Sequence, residues 1–313
     1  VRAAVCRAYG PPEVLVVDDV PAPEAGPGQV RVRVRAAAVN FPDVLVVADE
    51  YQMSASLPFV PGSEFAGERD DGTRVFGSTF VGAFAEEVVV AESAVTPTPA
   101  GVDDVVAAAF GVAHRTAYHV LRSVARVQAG EELVVLGAGG GVGLAAVQLG
   151  RLRGARVTAV ASSAEKLAAA EAQGAEVLID HTSGDLREAL RDALPDGSDV
   201  VVDPVGGALA EPALRSLRYG GRFVTVGYAA GEIPRIPLNL VMLKGIQVLG
   251  FQFLTFATNE PEELARNEAE LLELLATGRA VPHVGATFAL DEVADALRLV
   301  ADGRAVGKVV LTI

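Results

Sequence analysis

The stretch Leu136–Gly150, LGAGGGVGLAAVQLG, carries five glycines in its first eight residues and then a run of small and apolar ones. It follows the apolar segment ELVVL, which has the composition of a buried strand, and its second half has the spacing of a helix. Glycine costs conformational entropy wherever it is placed, so five of them between a strand and a helix need a physical reason. The spacing Gly137, Gly140, Gly143 supplies one. Gly137 ends the strand and permits a tight turn, Gly140 lets the backbone approach a ligand closely, and Gly143 lets the helix pack on the strand. Amides near Gly141 and Val142 then face the ligand from the positive end of the helix dipole, which makes a cradle for a pyrophosphate. Alone, a G-x-x-G-x-x-G string carries little weight; its place after a strand and before a helix gives it meaning.

The surroundings extend the pattern. From about Glu131 apolar strands recur as ELVVL, RVTAV, EVLI, DVVVD, RFVTV and IQVLG, with helical patterns such as LAAVQLGRLRG and SAEKLAAAEAQG between the earlier ones. Six such strands suit a doubly wound parallel sheet of the Rossmann type, an α/β fold. The first third reads differently: VRAAVCRAY, VLVVDDV and QVRVRVRAAAV are β-rich and separated by Gly/Pro punctuation, as in an irregular β domain. The terminal GKVVLTI has no place among the six strands and is assigned back to that β domain. The expected organisation is residues 1–112 as the β domain, 113–255 as the nucleotide-binding domain, and 256–313 as a return to the first.

Composition narrows the function. The chain has 313 residues, half of them hydrophobic, enough for two modest cores. No apolar run reaches the length of a membrane span and the start lacks a signal peptide's apolar region, so a cytoplasmic protein is expected. Cys6 is the only cysteine, which excludes an internal disulfide and a multi-thiolate metal site. With 40 acidic against 26 basic residues and a net charge of −14, the chain should repel nucleic acid. The histidines, His114, His119, His181 and His283, are scattered, and no metal is expected.

The end of the second strand selects the nucleotide. An NAD site usually has an acid there to take the ribose hydroxyls. Here RVTAVASSAEK offers Ser162, Ser163 and Lys166, all able to donate to a 2′-phosphate, and no acid beside them, which favours NADPH. Ser162 with Glu165 also fits a helix capping box, and both roles are compatible.

The segments AVNFPDVLVVADEYQ, LPFVPGSEFAG, AHRTAYHVL, LGAGGGVGLAAVQLG, GGRFVTVGYAAGEIP and GKVVL together resemble the zinc-independent quinone oxidoreductases of the medium-chain dehydrogenase/reductase superfamily, in that family's order and over nearly the whole chain. The resemblance implies a GroES-like β domain built from both termini, a Rossmann domain, an active-site cleft and a homodimer. In the zinc enzymes of the same fold, Asn40 resembles a position held by a cysteine ligand, and Gly62-Ser63-Glu64 resembles a Gly-His-Glu that supplies a histidine; neither ligand is present. The resemblance implies hydride delivery from NADPH to an electron-poor small molecule, a quinone or else an enone or enoyl acceptor. A nicotinamide-binding sensor with little turnover is the non-enzymatic alternative.

By the same resemblance Asn40 and Tyr51 lie beside the nicotinamide and the substrate carbonyl; Tyr51 either donates a proton or only shapes the pocket. Thr116 meets the nicotinamide ribose or phosphate. Gly227 and Tyr228 end the fifth strand, Phe251 and Gln252 follow the sixth, and Lys308 approaches from the terminal strand. His181 stands where the family commonly has tyrosine and is able to donate to the 2′-phosphate. EFAGERDDGTRVFG is shorter than the family's usual strand-turn-strand. The strand IQVLG leaves an apolar edge that a second copy would cover, burying Val248, Phe251 and Phe253.

Overall fold

The computed structural model describes residues 1–313. In chain order the elements are β1 (Arg2–Cys6), β2 (Leu15–Asp19), β3 (Gln29–Val39), α1 (Phe41–Ala48), β4 (Glu64–Arg69), β5 (Arg74–Ser78), β6 (Glu87–Ala91), β7 (Val95–Pro97) and α2 (Asp104–His119). Then follow β8 (Glu132–Leu136), α3 (Gly141–Leu152), β9 (Arg156–Ala161), α4 (Ala164–Ala172), β10 (Val177–Asp180), α5 (Leu186–Ala193), β11 (Ser198–Asp203), α6 (Ala210–Ser216), β12 (Leu217–Thr225), α7 (Leu238–Lys244), β13 (Gln247–Gly250), α8 (Phe253–Asn259) and α9 (Pro261–Ala276). The chain closes with β14 (Val284–Ala289), α10 (Val293–Ala301) and β15 (Lys308–Thr312). They form two compact units, Val1–Val112 with Val281–Ile313, and Ala113–Ala280.

The second unit contains a six-stranded sheet in the order β10-β9-β8-β11-β12-β13, parallel throughout. This is the 3-2-1-4-5-6 order of a doubly wound dinucleotide fold. Central strand β8 is buried along Leu133–Leu136, as expected of a parallel strand covered on both faces. Edge strand β13 is largely exposed, with Val248 45% accessible.

The first unit is built on β3, an 11-residue strand long enough to take different partners along its length. Its first half pairs with β6, its second half with β15, and β4 runs along its other side. Terminal strand β15 is therefore part of this sheet, beside β14, as its exclusion from the six-strand set required. Alternate residues of β3 are buried up to Val34, and Ala36–Val39 are all buried, where β15 and α10 close over the strand. The short segment between Gly67 and Gly72 still closes a regular hairpin. β4 and β5 pair from Glu64↔Ser78 to Glu68↔Arg74, and Gly72, at a φ of +85°, makes the turn.

The boundary expected after residue 255 is corrected to 280. Helix α9 belongs with the second unit because its polar face is tied there: Glu268 accepts from Arg115 and His119 at 2.8 and 2.9 Å, and Glu270 accepts from the Tyr118 hydroxyl at 2.6 Å. Periodicity identified the helix but not the unit it packs on. His119, fully buried, stacks among Phe251, Phe253 and Phe256, so it and the likewise buried His114 are packing residues.

Candidate functional site

In the second unit nearly every residue singled out from sequence lies where a parallel sheet presents its ligand crevice, at the carboxyl ends of the strands. The glycine turn follows β8, Ser162 and Ser163 follow β9, His181 follows β10, Gly227 and Tyr228 follow β12, and Phe251 and Gln252 follow β13. Thr116 is separate from this row, half-buried in the last turn of α2.

The three glycines of the turn act differently. Gly137 has a φ of +59°, which only glycine adopts without strain, and a Cβ there would lie 2.5 Å from the Val205 side chain. A Cβ on Gly143 would stand 2.0 Å from the Gly137 carbonyl oxygen, so this residue lets α3 reach the strand. Gly140 is the N-cap of α3, and a Cβ on it would meet only the Gly137 oxygen at 3.5 Å. The protein itself therefore leaves room for a side chain at Gly140.

Beside the turn, the Lys166 side chain packs where a Cβ on Gly139 would stand, and its ammonium donates to the Ser162 hydroxyl at 3.2 Å. Burial pulls its pKa below the ordinary value. The capping expectation is corrected by one residue. Ser163, in extended backbone, caps α4 by accepting from the Lys166 N–H at 3.3 Å. Ser162 is thereby left outside the helix, exposed and pointed at by a cation. The His181 N–H donates to Ala161, which fixes the residue after β10 beside this pair.

Sequence reasoning passed over Asp203, which was read only as the end of strand DVVVD. It is fully buried and one of its oxygens accepts from the Val205 and Gly206 N–H groups at 2.9 and 2.8 Å. Burial raises its pKa. The bonds fold the Pro204–Gly207 loop over the glycine turn, and Val205 touches the Gly137 position. An acid closing an apolar strand just before Pro-x-Gly-Gly was the available signal.

The first unit holds a buried polar cluster assembled by strand register. Ala38 of β3 pairs with Glu64 of β4 and Val39 with Val309 of β15, so the ends of three neighbouring strands bring Asn40, Glu64 and Lys308 together. The Lys308 ammonium donates to Asn40 Oδ1 at 2.5 Å and to Glu64 Oε2 at 3.0 Å, and Asn40 Nδ2 donates to the same Glu64 oxygen at 3.0 Å. Lys308 and Glu64 are 4% and 1% exposed, so this is an ion pair withdrawn from water. The Lys308 charge is engaged inside the cluster, where leaving the buried Glu64 unpaired would cost on the order of 3–5 kcal/mol. Asp43, in the first turn of α1, accepts from the Asn40 N–H at 2.7 Å. Burial pushes its carboxyl up to about 7 against the opposing pull of the Ser63 hydroxyl and the Asn40 amide. Tyr51 lies beyond α1, half-buried on this unit's core, and accepts only a long 3.5 Å contact from Gln52.

These donors do not suit zinc. An amide at Asn40 and a hydroxyl at Ser63 stand where thiolate and imidazole would be needed, the nearby carboxylate already holds an ammonium, and no three His, Cys, Asp or Glu side chains converge anywhere in the chain.

Two family models match the chain: "Alcohol dehydrogenase GroES-like domain" over residues 26–71 and "Zinc-binding dehydrogenase" over 141–273. The quinone oxidoreductase-like protein 2 of Bos taurus is 35% identical over all of this chain and 92% of its own length, and the quinone oxidoreductase of Homo sapiens is 30% identical over 99% and 97%. Among solved structures, the quinone oxidoreductase of Thermus thermophilus, also determined as a complex with NADPH, is 35% identical, covers both chains completely and superposes with a TM-score of 0.89. Sheet order, glycine turn and full-length similarity agree, and the chain belongs to the quinone oxidoreductase-like family of the medium-chain dehydrogenase/reductases.

Proposed function

We propose that this protein is an NADPH-dependent oxidoreductase that passes hydride to quinones without a metal. The observation that carries the reading is the end of β9, where Ser162 and the Lys166 ammonium stand beside the glycine turn and no Asp or Glu closes the strand. A carboxylate there would repel a 2′-phosphate; a hydroxyl and an ammonium attract one. Relatives named as quinone oxidoreductases, one of them solved with NADPH, support the same cofactor and acceptor.

Bound NADPH supplies the hydride; the chain supplies binding, orientation and polarisation. Amides at the start of α3, near Gly141 and Val142, would hold the pyrophosphate, and Thr116, Gly227, Tyr228 and Gln252 would be further cofactor contacts. Phe251 serves indirectly, since its ring is already buried against His119 and Phe256. In the first unit, Glu64 and Lys308 fix the Asn40 amide. One Asn40 N–H is used by Glu64, and the other has only contacts of 3.4 Å, which leaves it able to donate to an acceptor's developing oxyanion. The Tyr51 hydroxyl donates no hydrogen bond within the chain, and its role is either to donate to the same oxygen or to shape the pocket wall. A quinone needs no Lewis acid to accept hydride, which agrees with the donor set at Asn40 and Ser63. The reading also takes the protein to be a cytoplasmic homodimer; no helix is long and apolar enough to cross a membrane.

Steady-state kinetics test the assignment. With NADPH and chelator in the buffer, a benzoquinone or naphthoquinone is expected to give a higher kcat/KM than a short enone or an enoyl thioester. A higher kcat/KM on the enone would make this an alkene reductase, no turnover despite tight NADPH binding would make it a sensor, and loss of turnover with chelator would reject the metal-free reading.

A further inference from the structure

A second cavity lies within the Ala113–Ala280 unit, away from the glycine turn. Its volume is about 300 Å³, at the lower end for small-molecule sites, and Tyr118, Gln128, Leu149, Arg153, Leu274 and Arg279 are among the residues that line it. Leu149 and Arg153 belong to the carboxyl end of α3, whereas the glycine turn opens its amino end. A helix of 12 residues separates the two by about 18 Å.

Two arginines line this cavity. In a chain with 40 acidic residues, others of this unit such as Arg115, Arg122, Arg215 and Arg222 sit on carboxylates. Neither Arg153 nor Arg279 has such a partner. Arg153 donates from Nη2 to the Val127 carbonyl at 3.0 Å, but its Nε is buried and has no acceptor in the protein. That Nε has almost no accessible surface, so its lack of an acceptor marks a strained packing and not a contact point, and an anion in the cavity would be held by charge. The Glu270 carboxylate faces the same region but is engaged by Tyr118 and Arg122. Because Arg153 is the C-cap of α3, the carbonyl end of the helix adds roughly half a negative charge, against two full positive charges. The balance favours an anion. Leucine side chains on the remaining wall favour an apolar body of modest size.

We propose that this cavity is a second small-molecule site that binds a compact organic carboxylate, with Arg153 and Arg279 taking the carboxylate and Leu149 and Leu274 the apolar portion. The site is independent of the cofactor reading, since it lies at the other end of α3.

Hexanoate is the probe, with hexan-1-ol as its uncharged counterpart, both titrated by calorimetry into the intact protein with and without NADPH. The expected result is one hexanoate per chain with a Kd of about 1 mM or tighter, and no binding of the alcohol in that range. NADPH should leave that Kd unchanged. Arg279→Ala, at an exposed position that does not hold the fold, should weaken hexanoate at least about tenfold, as should Arg153→Gln. Absence of hexanoate binding, equal binding of hexan-1-ol, displacement by NADPH, or an Arg279→Ala protein with unchanged affinity would each overturn the site. Failure of NADPH itself to bind would instead reject the cofactor assignment and leave this titration readable.

Discussion

Single residues at the glycine turn separate what the fold needs from what the ligand needs. Gly143→Ala would place a Cβ 2.0 Å from the Gly137 oxygen, and the resulting overpacking is expected to cost about 1–3 kcal/mol of stability. Gly140→Ala would meet its nearest neighbour at 3.5 Å, so its melting temperature should stay near that of the parent while NADPH affinity falls. Thermal melts and cofactor titrations on the two proteins check this; equal destabilisation of both would show that Gly140 also serves the fold. Lys166 answers a different question. Lys166→Ala should weaken NADPH by about 1–3 kcal/mol and leave NADH nearly unchanged, because only the former carries a 2′-phosphate for the ammonium. Parent protein that bound both cofactors equally would remove the basis for the assignment. The glycine roles were legible from spacing because they are local steric demands. The identity of the cap was not, since Ser162 and Ser163 are equivalent in type and only the backbone path decides which one enters the helix.

At the scale of elements, the cluster at the ends of β3, β4 and β15 shows where sequence reading stops. Asn40 and Lys308 were both marked for function, but they are 268 residues apart, and nothing in composition or periodicity says that register brings them within 2.5 Å. Helix α1, which starts at this cluster, has a titratable first turn. The Asp43 carboxyl is raised from 3.8 to about 7 mainly by burial, so the folded protein binds its proton more tightly than the unfolded chain does. Its contribution to stability is therefore fully present below about pH 4 and is lost as pH rises through 7, on the order of a few kcal/mol. Asp43→Asn, which keeps an acceptor for the Asn40 N–H and cannot ionise, should flatten this part of the stability profile between pH 4 and 7. Chemical denaturation at a series of pH values is the measurement, and an unchanged slope in the variant would place the titration elsewhere.

For the whole molecule, the alternation of strand and helix identified the second unit, and an unplaced terminal strand identified the discontinuous first one. The position of α9 was missed because its partners, Arg115, Tyr118 and His119, precede it by about 150 residues. The proposed homodimer draws on what the second unit leaves uncovered. Strand β13 is an open edge, and helix α7 just before it exposes Leu238, Met242 and Leu243 at 78%, 73% and 72%. An open apolar edge flanked by such a face is unfavourable in water, and pairing two copies of β13 about a twofold axis would extend the sheet and cover both. Of the residues expected in that contact, Val248 is available, Phe253 is partly covered by His119 and Arg115, and Phe251 is already buried within its own chain, so the α7 leucines and methionine join the proposed contact. Light scattering should give about twice the chain mass of 32.3 kDa. Val248→Pro removes an N–H from the edge ladder, and Leu243→Glu places a charge in the apolar face; each should shift the mass toward the monomer while leaving the circular dichroism of the fold intact. A parent protein at 32.3 kDa would reject the dimer, and full dimers in both variants would place the interface on another surface.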